Sequence, residues 1–273
     1  MRKENGWMLD RFDRAINYLR ISVTDRCNLR CTYCMPAGGI ELISHDDILR
    51  YDEIIEVILA AVGFGVDKVR ITGGEPLVRK GVPDLVRMIS GISGIRDLSL
   101  TTNGILLEKF AQELKTAGLH RVNISLDTLD PVRYAEITRG GDLNQVLRGI
   151  DAALESGLWP VKLNCVIHST PDEPDARSVS EFGRLKGIAV RFIHEMDLDG
   201  GFFKPVIGGE GGNCSSCNRL RLTSNGLIKP CLFSNSGFSI RELGPHKAIE
   251  LALANKPECG SVNTTGEFYN LGG

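Results

Sequence analysis

The sequence predicts an α/β fold built on parallel strands, and three observations carry the prediction. Short β-branched runs alternate with longer segments from about Tyr18 to Glu195. The longer segments repeat apolar residues at helical spacing. Most are closely followed by a glycine, the usual helix stop. This is the pattern of βα units whose strands run the same way. Candidate strands are Tyr18 to Thr24, Lys68 to Thr72, Asp97 to Thr102, Arg121 to Leu126, Val161 to His168 and Val190 to Glu195. Six such units form an open or partial barrel or a doubly wound sheet. Periodicity does not choose between them, but both put ligands at the carboxyl ends of the strands.

Helices are expected between the strands. In the first, Ile54, Ile55, Ile58, Leu59 and Val62 share a face, with Asp46 or Asp52 as the candidate cap. Others are expected over Val82 to Ile92, Leu106 to Ala117, Leu143 to Ser156 and Ser178 to Lys186. After Glu195 the pattern breaks. Asp199 to Asn213 holds six glycines and no periodicity, so it reads as a linker. It divides a barrel domain, 1–198, from a small C-terminal module, 199–273. The module contains a second cysteine group, a short helix near Lys247 to Asn255 and the terminal Gly272-Gly273.

The chain has 273 residues, 42% hydrophobic and 24% charged, which is ordinary for a globular protein and argues against disorder. With 32 basic and 34 acidic residues, it has no global attraction to nucleic acid or an acidic membrane. A polyanion site must therefore concentrate cations locally. No apolar run reaches the roughly 18 residues of a membrane span. The N-terminal stretch is broken by charges and lacks the apolar core of a secretory signal, so a cytoplasmic location is expected.

Six of the eight cysteines fall into two groups of three. Cys27, Cys31 and Cys34 follow the first strand directly. A closed structural zinc site wants four ligands, and no fourth Cys or His is near in sequence. A four-iron cubane held by three thiolates instead leaves one iron open to a small molecule. Thr72-Gly73-Gly74-Glu75-Pro76 follows the second strand; alone, such a Gly-Gly turn is a common connection. Cys214, Cys217 and the more distant Cys231 also fit a zinc ribbon that His246 or Cys259 would complete. Arg219 and Arg221 lie two residues apart, so an extended strand presents both on one face beside that group. Guanidinium forks suit phosphate oxygens. Cys165 is expected to be a buried apolar filler, and Cys259 a loop thiol. His45, His120, His168, His194 and His246 lie outside any ligand spacing and are expected to be structural.

The first cysteine loop together with the Gly73-Gly74 turn resembles the radical S-adenosylmethionine enzymes. The resemblance implies a partial (β/α)6 barrel and a [4Fe-4S] cluster on Cys27, Cys31 and Cys34. It also implies that S-adenosylmethionine chelates the open iron, its amino group received by the Gly73-Gly74 backbone. The block Cys214 to Phe233, with Cys-Asn-Arg-Leu-Arg-Leu-Thr and Lys-Pro-Cys-Leu-Phe, is similar to the C-terminal cluster segment of the GTP 3′,8-cyclase family of molybdenum cofactor biosynthesis. That resemblance runs from Arg20 through Met196 and resumes near Phe203. It implies a second [4Fe-4S] cluster on Cys214, Cys217 and Cys231, facing the guanine of GTP.

Further residues are carried over by the same resemblance. Arg20, Arg70, Thr101 and Lys162 match GTP contacts, with Arg191 as an added anion contact. Tyr33, Gly74, Ser125 and Met196 match S-adenosylmethionine contacts. Arg219, Arg221, Gly272 and Gly273 match residues of the catalytic chamber, the two arginines also holding GTP. An electron donor such as a flavodoxin or ferredoxin and a downstream pyranopterin-forming enzyme are implied as partners, and a homodimer is compatible. Two other readings use the same residues: a radical maturase acting on a peptide, and a non-enzymatic zinc-binding or electron-carrier module. Only eighteen positions separate Met196 from Cys214. Family members carry several tens more, so a shorter cover over the open side of the barrel is expected.

Overall fold

The structure, a computed structural model, describes residues 3–4, 6–36, 38–196 and 204–261. A small antiparallel sheet comes first, with β1 (Lys3–Glu4), β2 (Trp7–Leu9) and β3 (Ala15–Ile16). Six parallel strands follow: β4 (Tyr18–Ser22), β5 (Lys68–Thr72), β6 (Asp97–Thr102), β7 (Arg121–Ser125), β8 (Lys162–Ile167) and β9 (Ala189–His194). The connecting helices are α1 (Tyr51–Gly63), α2 (Val82–Ser90), α3 (Leu107–Thr116), α4 (Pro131–Thr138), α5 (Leu143–Glu155) and α6 (Pro174–Lys186). The six strands lie side by side in chain order. A doubly wound sheet reverses its order at a switch point. An unreversed series of parallel strands with right-handed crossovers curls instead into a barrel, which decides between the two arrangements.

The C-terminal segment continues this sheet. β10 (Arg219–Leu222) runs parallel along the other edge of β4, and β11 (Leu227–Lys229) and β12 (Phe238–Ser239) follow antiparallel. α7 (Ile240–Leu243) and α8 (Pro245–Ala254) close the described chain, and α8 packs on α1. Leu220, Leu222, Ile228, Ala248, Ile249 and Leu253 belong to the same apolar core as Leu19, Ile21, Val69 and Ile71. Sheet and core thus run on past residue 198. At the far edge, Phe192 of β9 makes an isolated bridge to Ile207.

Three elements differ from expectation for identifiable reasons. α1 is capped by neither Asp46 nor Asp52. Arg50 is its N-cap, and its amide donates to Glu53 Oε2 at 2.8 Å. α6 begins four residues early because Pro174 is pre-set for a first helical turn. α4 was not expected; Asp130 caps it by accepting from the amides of Val132 and Arg133, with Pro131 next in line. Among the described residues no helix is long and apolar enough to cross a membrane.

Alternation along the strands separates two environments. Leu19, Ile21, Val69, Ile71, Leu98 and Leu100 are fully buried in the apolar core. Arg20, Arg70, Ser99, Thr101, Asn123 and Lys162 occupy the alternate positions and line the barrel interior. A barrel interior is ordinarily filled by bulky branched side chains; a polar one is built to hold something else.

Candidate active site

The first cysteine triad sits on the loop leaving the carboxyl end of β4. The Leu29 amide donates to Cys27 Sγ at 3.4 Å, and the Cys34 amide donates to the Cys31 carbonyl at 3.0 Å. α4 braces this loop. The amides of Arg30 and Thr32 donate to the Thr138 and Ile137 carbonyls at 3.2 and 2.9 Å. Arg139 Nη1 donates back to the Arg30 and Met35 carbonyls at 2.7 and 2.9 Å. From the loop just after β6, Asn103 Nδ2 approaches Cys27 Sγ at 3.9 Å and donates to Asn28 Oδ1 at 2.8 Å.

The glycine turn is packed directly under that loop. The Gly74 amide donates to the Thr24 carbonyl at 2.7 Å and the Glu75 amide to the Arg26 carbonyl at 2.8 Å. A Cβ on Gly73 would stand 2.7 Å from the Thr24 carbonyl oxygen, and one on Gly74 would overlap the Arg26 carbonyl. Only glycine permits this approach. Glu75 is buried and accepts from Leu77 N at 3.0 Å, Thr102 Oγ1 at 2.8 Å and Asn103 N at 2.7 Å. Burial outweighs those donors and pushes its carboxyl up to about 7.

Other predicted cofactor contacts meet at the same rim. Tyr33 Oη donates to Asp127 Oδ2 at 2.7 Å, while Asp127 Oδ1 accepts from Val166 N at 2.8 Å. Ser125 ends β7 opposite Asn164, and Met196 lies just past β9. Tyr33, Asp127, Val166, His168 and Glu195 line a cavity of about 280 Å³ here. His168 Nδ1 and Glu195 pair across it at 2.8 Å.

Inside the barrel a row of cations crosses three strands. Arg221 is the register partner of Arg20, and Arg20 of Arg70. Arg70 Nε donates to Ser99 Oγ at 3.2 Å, and with the Asn123 amide turned so that its oxygen faces Arg70, that oxygen accepts from both terminal nitrogens at 2.8 and 3.1 Å. Tyr18 lies between Arg70 and Arg219, whose guanidinium carbons stand 5.5 and 5.6 Å from its ring centre. Lys162 pairs in register with Asn123, and Arg191 with Asn164. Burial lowers Arg70 to about 10. Burial, then Arg221, pushes Arg20 well below its ordinary value. Burial and Arg191 likewise lower Lys162. Tyr18 Oη, Thr101 Oγ1 and Arg121 Nη1 are buried without a hydrogen-bond partner. Crowded cations beside unsatisfied polar atoms form a chamber for a polyanion.

The second triad lies at the opposite end. Cys217 lies two residues before β10 and Cys231 two residues after the antiparallel β11, so both sit at the amino ends of the parallel strands, across the chamber from Cys27. Lys256 is buried and donates to Cys217 Sγ at 3.5 Å and to the Arg219 and Pro230 carbonyls, each at 2.7 Å. Burial raises the Cys217 thiol, but Lys256 and Arg219 overcome it and leave it below its ordinary value. At the other triad, burial and then Asp127 drive Cys31 up to about 12. Cys27 adds to the rise of Cys31, and burial followed by Cys31 and Cys27 raises Cys34 as well.

The first donor set fits a cluster. Three thiols on one short loop match a cubane with one exchangeable corner, and ligation supplies the positive charge that would deprotonate thiols held up by burial. Among the described residues no three Cys, His, Asp or Glu side chains form a ready shell for one ion; cubane thiolates each bind a different iron. Cys165 is fully buried, as expected. Sequence reasoning missed Asn103, Asp127, Arg139, Tyr18 and Lys256. Gly272 and Gly273 lie outside the described residues.

A parallel barrel with a cysteine loop at its carboxyl rim defines a radical SAM protein, and the Radical SAM superfamily profile matches residues 21–182. Such proteins use an iron–sulfur cluster with S-adenosylmethionine. Solved structures agree on the fold. Streptococcus suis SuiB bound to precursor peptide SuiA superposes with a TM-score of 0.67 at 16% identity, covering 89% of this chain and 65% of that one. Native anSMEcpe with bound AdoMet gives 0.61 at 17% identity, covering 93% and 83%. Within that superfamily the chain belongs to the GTP 3′,8-cyclase family. It is 43% identical to the GTP 3′,8-cyclase of Alkaliphilus oremlandii over 92% of this chain and 93% of the relative. It is 43% identical to that of Moorella thermoacetica over 88% of each. The first alignment spans 299 positions, more than the 273 residues of this chain, so the relative carries segments that this one lacks.

Proposed function

We propose that this chain converts GTP to (8S)-3′,8-cyclo-7,8-dihydroguanosine 5′-triphosphate, the first step of molybdenum cofactor biosynthesis, in the cytoplasm. The observation that carries the reading is the cation row Arg221–Arg20–Arg70 between two cysteine triads at opposite ends of a radical SAM barrel. When bound, a cluster on Cys27, Cys31 and Cys34 with S-adenosylmethionine supplies a deoxyadenosyl radical able to take hydrogen from the ribose. Gly73, Gly74, Tyr33, Ser125 and Met196 hold the S-adenosylmethionine. Arg20, Arg70, Lys162, Arg191, Arg219 and Arg221 grip the triphosphate, and Thr101 offers its unpaired hydroxyl to the nucleotide. Cys214, Cys217 and Cys231 hold a second cluster that faces the guanine, with Arg219 and Arg221 beside it. The family resemblance also gives Gly272 and Gly273, outside the described residues, a part in catalysis. An electron donor of the flavodoxin or ferredoxin kind reduces the first site, and a pyranopterin-forming enzyme takes the product.

The test is anaerobic incubation of reconstituted protein with GTP, S-adenosylmethionine and a reductant. Both 5′-deoxyadenosine and cyclised nucleotide are expected. Deoxyadenosine alone rejects the substrate and keeps the radical chemistry.

A further inference from the structure

The cation row that begins at Arg221 does not end at Arg70. Arg70 is the register partner of Ser99, and Ser99 of Arg121. One line of interior positions thus runs Arg221, Arg20, Arg70, Ser99, Arg121 across five strands. It stops there, because pairing between β7 and β8 begins two residues further on, at Asn123 and Lys162. Asp97, at the start of β6, holds the Arg121 guanidinium as a fork: Nε donates to Oδ1 at 2.9 Å and Nη2 to Oδ2 at 2.5 Å. The remaining nitrogen, Nη1, is buried without a hydrogen-bond partner. An unpaired buried donor is costly, and the carboxylate keeps the planar group from turning to relieve it. Burial and then Arg121 lower Arg191 below its ordinary value, so the two guanidinium groups share one field at this end of the row.

We propose that Arg121 is a further substrate-binding residue, its unpaired Nη1 donating to an oxygen of the distal phosphates of the nucleoside triphosphate while Asp97 holds the other two nitrogens. This rests on the reading of the chamber as a GTP site. That reading sets the guanine against the second triad, which adjoins β10 at one end of the row; Arg121 stands at the other end. Four strand spacings of about 4.8 Å separate the two along the sheet, and less straight across the curled barrel, which is the scale of an extended nucleoside triphosphate. Asp97 offsets the charge of Arg121, so this residue adds little to the field that attracts a polyanion. Arg20, Arg70, Lys162 and Arg191 supply that field. What Arg121 adds is a donor fixed in place, which distinguishes a nucleotide that reaches it from one that is too short.

The experiment measures GTP and GMP affinities by titration calorimetry on the anaerobically reconstituted full chain. The parent is compared with Arg121→Gln and with the double variant Arg121→Gln/Asp97→Asn, which removes both charges of the pair together so that no carboxylate is left without its partner. The parent should bind GTP more tightly than GMP. Both variants should lose at least tenfold in GTP affinity and less than twofold in GMP affinity. On the unaltered protein, GTP should slow phenylglyoxal modification of Arg121, read by peptide mass spectrometry, at least fivefold more than GMP does. Unchanged GTP affinity in the variants overturns the proposal and means that water completes Arg121. Equal losses for the two nucleotides also overturn it, since Arg121 then shapes the chamber without reaching the distal phosphates. Equal protection by GTP and GMP overturns it without any variant. A parent that binds GTP no more tightly than GMP overturns the triphosphate reading itself, and this proposal with it.

Discussion

Arg20 and Arg221 are register partners on adjacent parallel strands, two guanidinium groups brought side by side inside the barrel. Their like charges favour a bound polyanion. Arg221→Met should therefore weaken GTP binding at least tenfold. Titration calorimetry checks it; unchanged affinity would falsify this account of the row.

Arg139 is the clasp of the cysteine loop. Arg139→Ala removes two charge-assisted bonds to the Arg30 and Met35 carbonyls, each worth about 1.5–3 kcal/mol at most. Iron retained at the first site after desalting should fall severalfold while far-UV dichroism stays the same. Arg139→Lys, which keeps the charge but not the fork, should recover part of the loss.

Gly74→Ala drives a methyl group into the Arg26 carbonyl. The cysteine loop must shift, because β5 is fixed by pairing on both sides. S-adenosylmethionine affinity should drop by at least an order of magnitude, measured by equilibrium dialysis, with GTP binding at the other end little changed.

Glu75 sets a pH dependence. Its carboxyl rises from 4.5 to about 7 on folding because it is buried. The folded chain therefore holds this proton more tightly than the unfolded chain. Its contribution is fully present below about pH 4.5, declines as pH rises toward 7 and is lost above, about 3 kcal/mol in all. Urea midpoints at pH 5 and 7.5 should differ more in the parent than in Glu75→Gln, which cannot titrate.

The six barrel strands were legible because most alternate apolar residues with polar ones. Their order was not, since pairing partners are set by packing at a distance. β10 could be anticipated as a strand around Arg219 and Arg221, but nothing local pointed to an edge on β4, some 200 residues earlier. α4 escaped because its buried stripe is only Tyr134 and Thr138, too short for a periodic signal. The Asp130-Pro131 start was the clue available. Asn103, Asp127 and Arg139 act on the cysteine loop from other loops and a helix end, so only the folded chain joins them. Nothing local in the sequence marks Lys256 and Arg14; burial and their bonds to backbone at the second triad do.

Early synthesis leaves β4 in an awkward position. Its partner on one flank, β5, emerges promptly, but the other flank waits for β10, made some 200 residues later. At about 5–20 residues per second, a bare row of amides and carbonyls faces the cell for roughly 10–40 seconds. Nascent chains stalled before Arg219 should therefore be the sticky species, and holding them apart is a task for chaperones rather than for this protein's own fold.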